Sequence, residues 1–179
     1  SDVYKRQVLS RYIDGIIART FSHQALVTLA KYSNAPVINA LSDFEHPCQA
    51  LADIMTISEK KGKLRGLELA YVGDGNNVAN SLLLAASLTG VNFRIASPTG
   101  YEMDKEILQK ARELAASTGS QIVLNPDPKQ AVKDADIVYT DVWTSMGQEA
   151  ESEKRRSVFA SYQVNPTLLS LAKKDVIFM

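Results

Sequence analysis

Short apolar runs alternate along this chain with longer segments of helical period. Residues 14–19 (DGIIAR) read as a strand ending in Arg19, and 22–32 as a helix capped by Ser22, with Leu26, Leu29 and Ala30 on one face. A second short strand, PVINA, occupies 36–40. A helix then opens at Pro47, carries its apolar positions at Ala50, Leu51, Ile54, Met55 and Ile57, and runs to Lys61 before Gly62. The stretch 66–75 (GLELAYVGDG) is a buried strand followed by a glycine turn, and 77–90 is a helix stopped by Gly90. Next come a strand at 92–97 and a helix at 104–118 with Ile107, Leu108, Ala111, Leu114 and Ala115 on one stripe, stopped by Gly119. Further strands are predicted at 121–125, 135–143 and 175–179, with short helices at 128–133, 151–161 and 166–173.

Strands separated by helices predict an α/β fold with parallel sheets covered on both faces. The long helix 47–61 follows one such set and precedes another, so two Rossmann-like lobes joined by that helix are expected. The first lobe, 8–57, holds few strands and is expected to be incomplete. The second, 58–179, stops at Met179 in or just after a strand without a closing helix. Residues 1–7 (SDVYKRQ) show no periodicity and are set aside as a possible non-native scar. A piece of a longer protein is the expectation.

Composition narrows the picture. Among 179 residues, 20 Lys and Arg balance 20 Asp and Glu, so no net charge draws the chain to nucleic acid or a membrane surface. A small anion needs only local positive groups. No apolar run approaches the roughly 18 residues of a membrane span. Cys48 is the single cysteine, which excludes an internal disulfide and suits a cytoplasmic setting. Two histidines without HExxH or CxxC spacing argue against a histidine or cysteine metal site.

Candidate chemistry gathers at three places. In His46-Pro47-Cys48-Gln49, proline suits the first helical position, which makes His46 the cap and Gln49 the third helical residue. Both side chains can then reach the electropositive space before the helix, where an anion or polarised carbonyl oxygen is stabilised. The competing reading is a plain capping pair. Arg19 closes a strand at the carboxyl edge of its sheet, where a guanidinium fork suits phosphate or carboxylate. Taken alone, a solvent-exposed surface arginine is the better account of it.

The second place is VGDGNN (72–77). Read as GxGxxG from Gly73 and Gly75, it has Val78 where the third glycine belongs, and the next strand ends without an acid for a ribose. It reads as a turn presenting Asn76 and Asn77, of which Asn76 is taken as a helix cap. The third is TDVWTSMGQE (140–149): Asp141 at a strand end suits an ammonium group, and Ser145, Met146 and Gly147 follow in a loop. The charge run 149–156 reads as a solvated helix face, His23 as a surface residue and Cys48 as helix-start packing. No GxSxG or Walker lysine is present.

Together, HPCQALAD, VGDGNN and TDVWTSMGQE resemble the signature segments of the aspartate/ornithine carbamoyltransferase family, and the SMG segment resembles its ornithine branch. The likeness runs from about Val8 to Met179. It implies a carbamoyl phosphate-binding lobe, an ornithine-binding lobe, and homotrimers or multiples of trimers. Carried over position by position, it implies that Arg19, His46 and Gln49 are catalytic contacts to carbamoyl phosphate. Asn77, Asp141, Ser145 and Met146 would be the contacts to L-ornithine. The implied reaction is attack by the uncharged δ-amine of ornithine on the carbamoyl carbon, giving citrulline and phosphate, with no metal or organic cofactor. A role in arginine biosynthesis and the reverse, degradative direction are both open. A Ser-Thr-Arg-Thr loop is expected upstream and a His-Cys-Leu-Pro segment after Met179, so the piece by itself is expected to be inactive. Two alternatives are an NAD(P)-binding oxidoreductase domain using the Gly73–Gly75 turn and a carbamoyltransferase for a related amine.

Overall fold

The computed structural model describes residues 12–145 and 148–179. In the first lobe, β1 (Ile16–Arg19) and β2 (Val37–Leu41) form a parallel pair joined by α1 (His23–Tyr32). The Ser22 side chain accepts from the Ala25 amide and starts that helix. Of the expected stripe on α1, only Leu26 is fully buried. α2 (Pro47–Lys61) follows, with proline at its start and Gly62 in the left-handed conformation at its end. Ala50, Ile54 and Ile57 are buried as expected; Leu51 and Met55 are exposed, and the buried carboxylate of Asp53 lies on the inward face instead.

The second lobe is a five-stranded, all-parallel sheet in the order β5-β4-β3-β6-β7. Its strands are β3 (Glu68–Val72), β4 (Asn92–Ala96), β5 (Ile122–Leu124), β6 (Ile137–Tyr139) and β7 (Ile177–Phe178). The helices are α3 (Asn77–Thr89), α4 (Lys105–Thr118), α5 (Pro128–Val132), α6 (Ser152–Phe159) and α7 (Pro166–Leu169). Several are shorter than their sequence patterns; α7, for one, stops at Leu169. β6 in particular stops at Tyr139, which releases Asp141 and Trp143 into the loop beyond it.

Strand alternation sorts the core into two layers. Leu69, Tyr71, Phe93, Ile95, Ile137 and Tyr139 face α2, α3 and α4 in one cluster. Ala70, Val72 and Val138 face α5 and α7 through Val132 and Leu168. The chain leaves β3 outward through β4 and β5, then returns to build β6 and β7 on the other side. Such a reversal parts the loops after β3 and β6 and opens a crevice at the carboxyl edge, where open α/β sheets hold ligands.

Among the described residues no helix is long and apolar enough to cross a membrane. The lobes meet along a polar seam between the start of α3 and the 42–46 loop. Asn77 Nδ2 donates to the Ser42 carbonyl at 2.7 Å, Asn80 Nδ2 to the Phe44 carbonyl at 3.0 Å, and the His46 amide to Ser81 Oγ at 2.9 Å.

Candidate functional site

A cleft of about 420 Å³ opens where the seam meets the sheet's crevice. Arg19, Ser42 and His46 line it from the first lobe; Asn76, Asn77, Asp141, Ser145 and Gln148 line it from the second. Five of the seven residues singled out from the sequence, Arg19, His46, Asn77, Asp141 and Ser145, therefore share one cavity. Gln49 is not on its wall. It stands exposed three residues along α2 from His46, with Nε2 donating to Asp53 Oδ1 at 2.9 Å. Met146 and its neighbour Gly147 lie outside the described residues.

His46 occupies the cap position of α2 as expected, but its side chain makes no capping hydrogen bond. The ring is thereby left to the cleft. Burial, and after it the positive charge of Arg19, lower its pKa from the usual value near 6.5; the carboxylates of Asp141 and Asp53 and the Ala40 carbonyl oppose this and lose. A neutral imidazole is the form present at neutral pH, and it can donate one N–H to an oxygen without adding charge.

The loop that carries His46 is pinned from behind. Ser42 is fully buried, and its hydroxyl meets His23 Nδ1 at 2.9 Å and accepts from the Glu45 amide at 3.1 Å. The His23 amide donates to Asp43 Oδ1, and its ring packs on Phe44. His23 is thus half-buried and braces this loop, a correction to its reading as a surface residue. Cys48, in contrast, is exposed rather than packed.

On the opposite wall the glycine turn is shaped by close backbone approach. A Cβ on Gly75 would come within 2.5 Å of Glu102 C and Met103 N, and the Gly75 amide donates to the Tyr101 carbonyl. The gap that glycine opens is thus filled by the protein's own chain, which removes the phosphate cradle an NAD(P) reading requires. Asn76 caps α3, accepting from the Val78 and Ala79 amides, in keeping with its sequence reading. It also does something the sequence did not disclose: Nδ2 donates to Asp141 Oδ2 at 2.9 Å, while Asp141 Oδ1 accepts from the Val142 amide at 2.8 Å. The carboxylate is therefore held in a fixed orientation on the cleft wall, fit to receive a cation.

The loop after β6 has a second anchor, missed because it comes from the charge run taken as solvated. Arg155 of α6 is buried. Its Nη2 pairs with Asp74 in the glycine turn, its Nε donates to the Trp143 carbonyl, and its guanidinium lies 4.8 Å from the Tyr101 ring centroid. Burial raises the Asp74 pKa, and Arg155 pulls it back only in part. The arginine thus ties the turn before α3 to the loop bearing Asp141 and Ser145. The signal that would have exposed it, a partner 81 positions away, is invisible to local pattern.

Comparison with known proteins bears on this arrangement. Residues 65–179 match the model for "Aspartate/ornithine carbamoyltransferase, Asp/Orn binding domain", and residues 4–59 that for the "carbamoyl-P binding domain" of the same family. The chain is 58% identical over 173 residues to the ornithine carbamoyltransferase of Thermococcus kodakarensis, covering 97% of this chain and 55% of that protein. It superposes with a TM-score of 0.94 on the ornithine carbamoyltransferase structure from Pyrococcus furiosus, at 53% identity, covering 98% of this chain and 56% of that one. The anabolic enzyme structure from Campylobacter jejuni gives a TM-score of 0.94 at 37% identity, covering 99% of this chain and 59% of that one. The chain spans about half the length of the curated relatives it matches.

Proposed function

Since the chain belongs to the aspartate/ornithine carbamoyltransferase family, we propose that it carries much of the reaction centre for carbamoyl transfer from carbamoyl phosphate to the δ-amine of L-ornithine. One observation supports this above the others: anion-side groups of the first lobe, Arg19 and His46, face amino-acid-side groups of the second, Asn77, Asp141 and Ser145, across a single cleft. In this reading 8–57 serves carbamoyl phosphate and 58–179 serves ornithine.

Arg19 neutralises phosphate charge as that group leaves. The neutral His46 ring donates to the carbamoyl oxygen, so that the oxyanion formed on attack is stabilised where it develops. Gln49, three residues along α2 and outside the cleft wall, keeps its carbamoyl phosphate role in this reading from the family resemblance alone. Asp141 pairs with the α-ammonium of ornithine, and Asn77 with the Ser145–Met146 segment orients its carboxylate end. Holding both reactants between two lobes supplies orientation and excludes water. The attacking amine must be uncharged, which favours alkaline conditions. The cytoplasmic setting and the trimeric assembly belong to the same proposal.

The test replaces the matching segment of the Pyrococcus furiosus enzyme with residues 12–179. The chimaera is expected to form citrulline, and His46→Ala is expected to lower its turnover by about 10²-fold, the scale of one oxyanion donor. Near-normal citrulline formation by that variant would remove the role given to His46.

A further inference from the structure

The proposed mechanism leaves one buried ionisable group unused. Asp53, four residues after Gln49 on α2, is 4% exposed. His46 and Gln49 precede it on the chain, Tyr139 lies against it from β6, and the Asp141 carboxylate is near enough for the two charges to oppose each other. A carboxylate on the core side of a helix costs stability unless it performs a task. Its hydrogen bonding is lopsided. Oδ1 accepts from Gln49 Nε2 at 2.9 Å, the Tyr139 hydroxyl also bears on the carboxylate, and Oδ2, also buried, has no partner in hydrogen-bond geometry among the described residues.

We propose that Asp53 is a positioning residue that fixes the flip of the Gln49 carboxamide, so that Gln49 turns its oxygen outward as a hydrogen-bond acceptor. An amide can rotate by half a turn and exchange donor for acceptor with almost no change of shape. An acceptor-only partner on one side settles the choice, because the flipped amide would set its oxygen against a carboxylate oxygen. No described residue donates to Gln49 Oε1. Its lone pairs are therefore available to a ligand, and what they select is an N–H donor.

This inference rests on the carbamoyl phosphate reading for its ligand and not for its geometry. A carbamoyl group carries an amino group where an acetyl group carries a methyl. With the flip fixed, Gln49 rewards the first and gains nothing from the second. With the flip free, Gln49 offers either face, and the preference weakens.

Two measurements on the 179-residue chain separate the parts. In proton–nitrogen correlation spectra of labelled protein, the Gln49 carboxamide pair, assigned by its loss in Gln49→Glu, is expected to be displaced from exposed-glutamine positions and to shift as Asp53 titrates. In Asp53→Leu, which removes the acceptor with a larger apolar side chain, the pair moves to exposed-glutamine positions while the backbone spectrum is preserved; the near-isosteric Asp53→Asn serves if the leucine variant does not fold. A pair at exposed positions in the unsubstituted protein, or unmoved by both substitutions, overturns the proposal. The second measurement compares the affinities of carbamoyl phosphate and acetyl phosphate by competition. The ratio is expected to fall about fivefold in Asp53→Leu, the scale of one net hydrogen bond, with inorganic phosphate affinity unchanged. An unchanged ratio overturns the proposal. If the unsubstituted chain binds neither acyl phosphate, the carbamoyl phosphate reading fails, and the spectra alone decide the role of Asp53.

Discussion

Replacing Arg155 by methionine removes the charge from the tie between the glycine turn and the Asp141 loop while keeping most of the volume. The side chains of Arg155 and Asp74 are 4% and 11% exposed, so the carboxylate left behind has almost no water to turn to. Breaking a buried pair from one side costs about 3–5 kcal/mol. For a chain of this size that corresponds to a fall in melting temperature of roughly 6–20 °C. The pH dependence carries the sharper test. In the native protein burial raises the Asp74 pKa and Arg155 opposes it. Without the arginine, the raising influence stands alone. A carboxyl whose folded pKa lies above its unfolded value penalises the fold when ionised. The deficit of Arg155→Met is therefore full at pH 7, and it shrinks as the pH falls through the raised folded value towards the unfolded one near 3.9. Urea melts at pH 7 and pH 4.5 measure this directly. The double variant Asp74→Asn with Arg155→Met, which has no stranded charge, is expected to recover much of the loss at pH 7. A single-variant deficit below about 1 kcal/mol, or one identical at both pH values, refutes the reasoning.

Asn76→Asp keeps an oxygen to cap α3 but sets a second carboxylate against Asp141 Oδ2; helix stability is expected to hold, while calorimetric heat on ornithine addition is lost. The His46 ring is expected to titrate below 6.5 by proton NMR, with Arg19→Met moving the midpoint upward because the arginine charge contributes to the lowering. Because the folded state favours the neutral ring, stability is expected to decline as the pH falls from the unfolded value near 6.5 towards the lower folded one.

The parallel sheet and its helices were readable because their residues answer to one-dimensional rules. Pro47 and Gly62 bracket α2, Asn76 and Gly90 bracket α3, and the stripe through Ile107, Leu108 and Ala111 fixes the inner face of α4. The cleft was legible in part for a related reason. Arg19 ends, and Asp141 follows, a strand whose carboxyl edge leads to the cleft, so strand direction alone points both towards it. What escaped notice depends on partners far apart in sequence. Arg155 sits in a run of charges whose neighbours do point outward, and Asp74, Trp143 and the Tyr101 ring make it an interior residue. His23 is drawn under the 42–46 loop by Ser42, and Asn76 does double duty because β6 ends beside it. Gln49 was expected to reach the space before the helix, but Asp53 offers its amide a partner on its own helix. Leu51 and Met55 show the converse: helical period marks them as core, yet α3 covers only the flank carrying Ala50, Ile54 and Ile57.

The seam between the lobes has a mechanical corollary. The backbone of His46 is fastened to Ser81 on α3, whereas Arg19 is laced into β1 against Leu41. His46 stands at the joint itself: His23 and Ser42 of the small lobe brace its loop and Ser81 of the large one holds its amide, while the guanidinium moves with the small sheet alone. An anion gripped by both groups would act as a drawstring across the gap, so a ligand at the Arg19 and His46 end would also set how far the Asp141 end stands open.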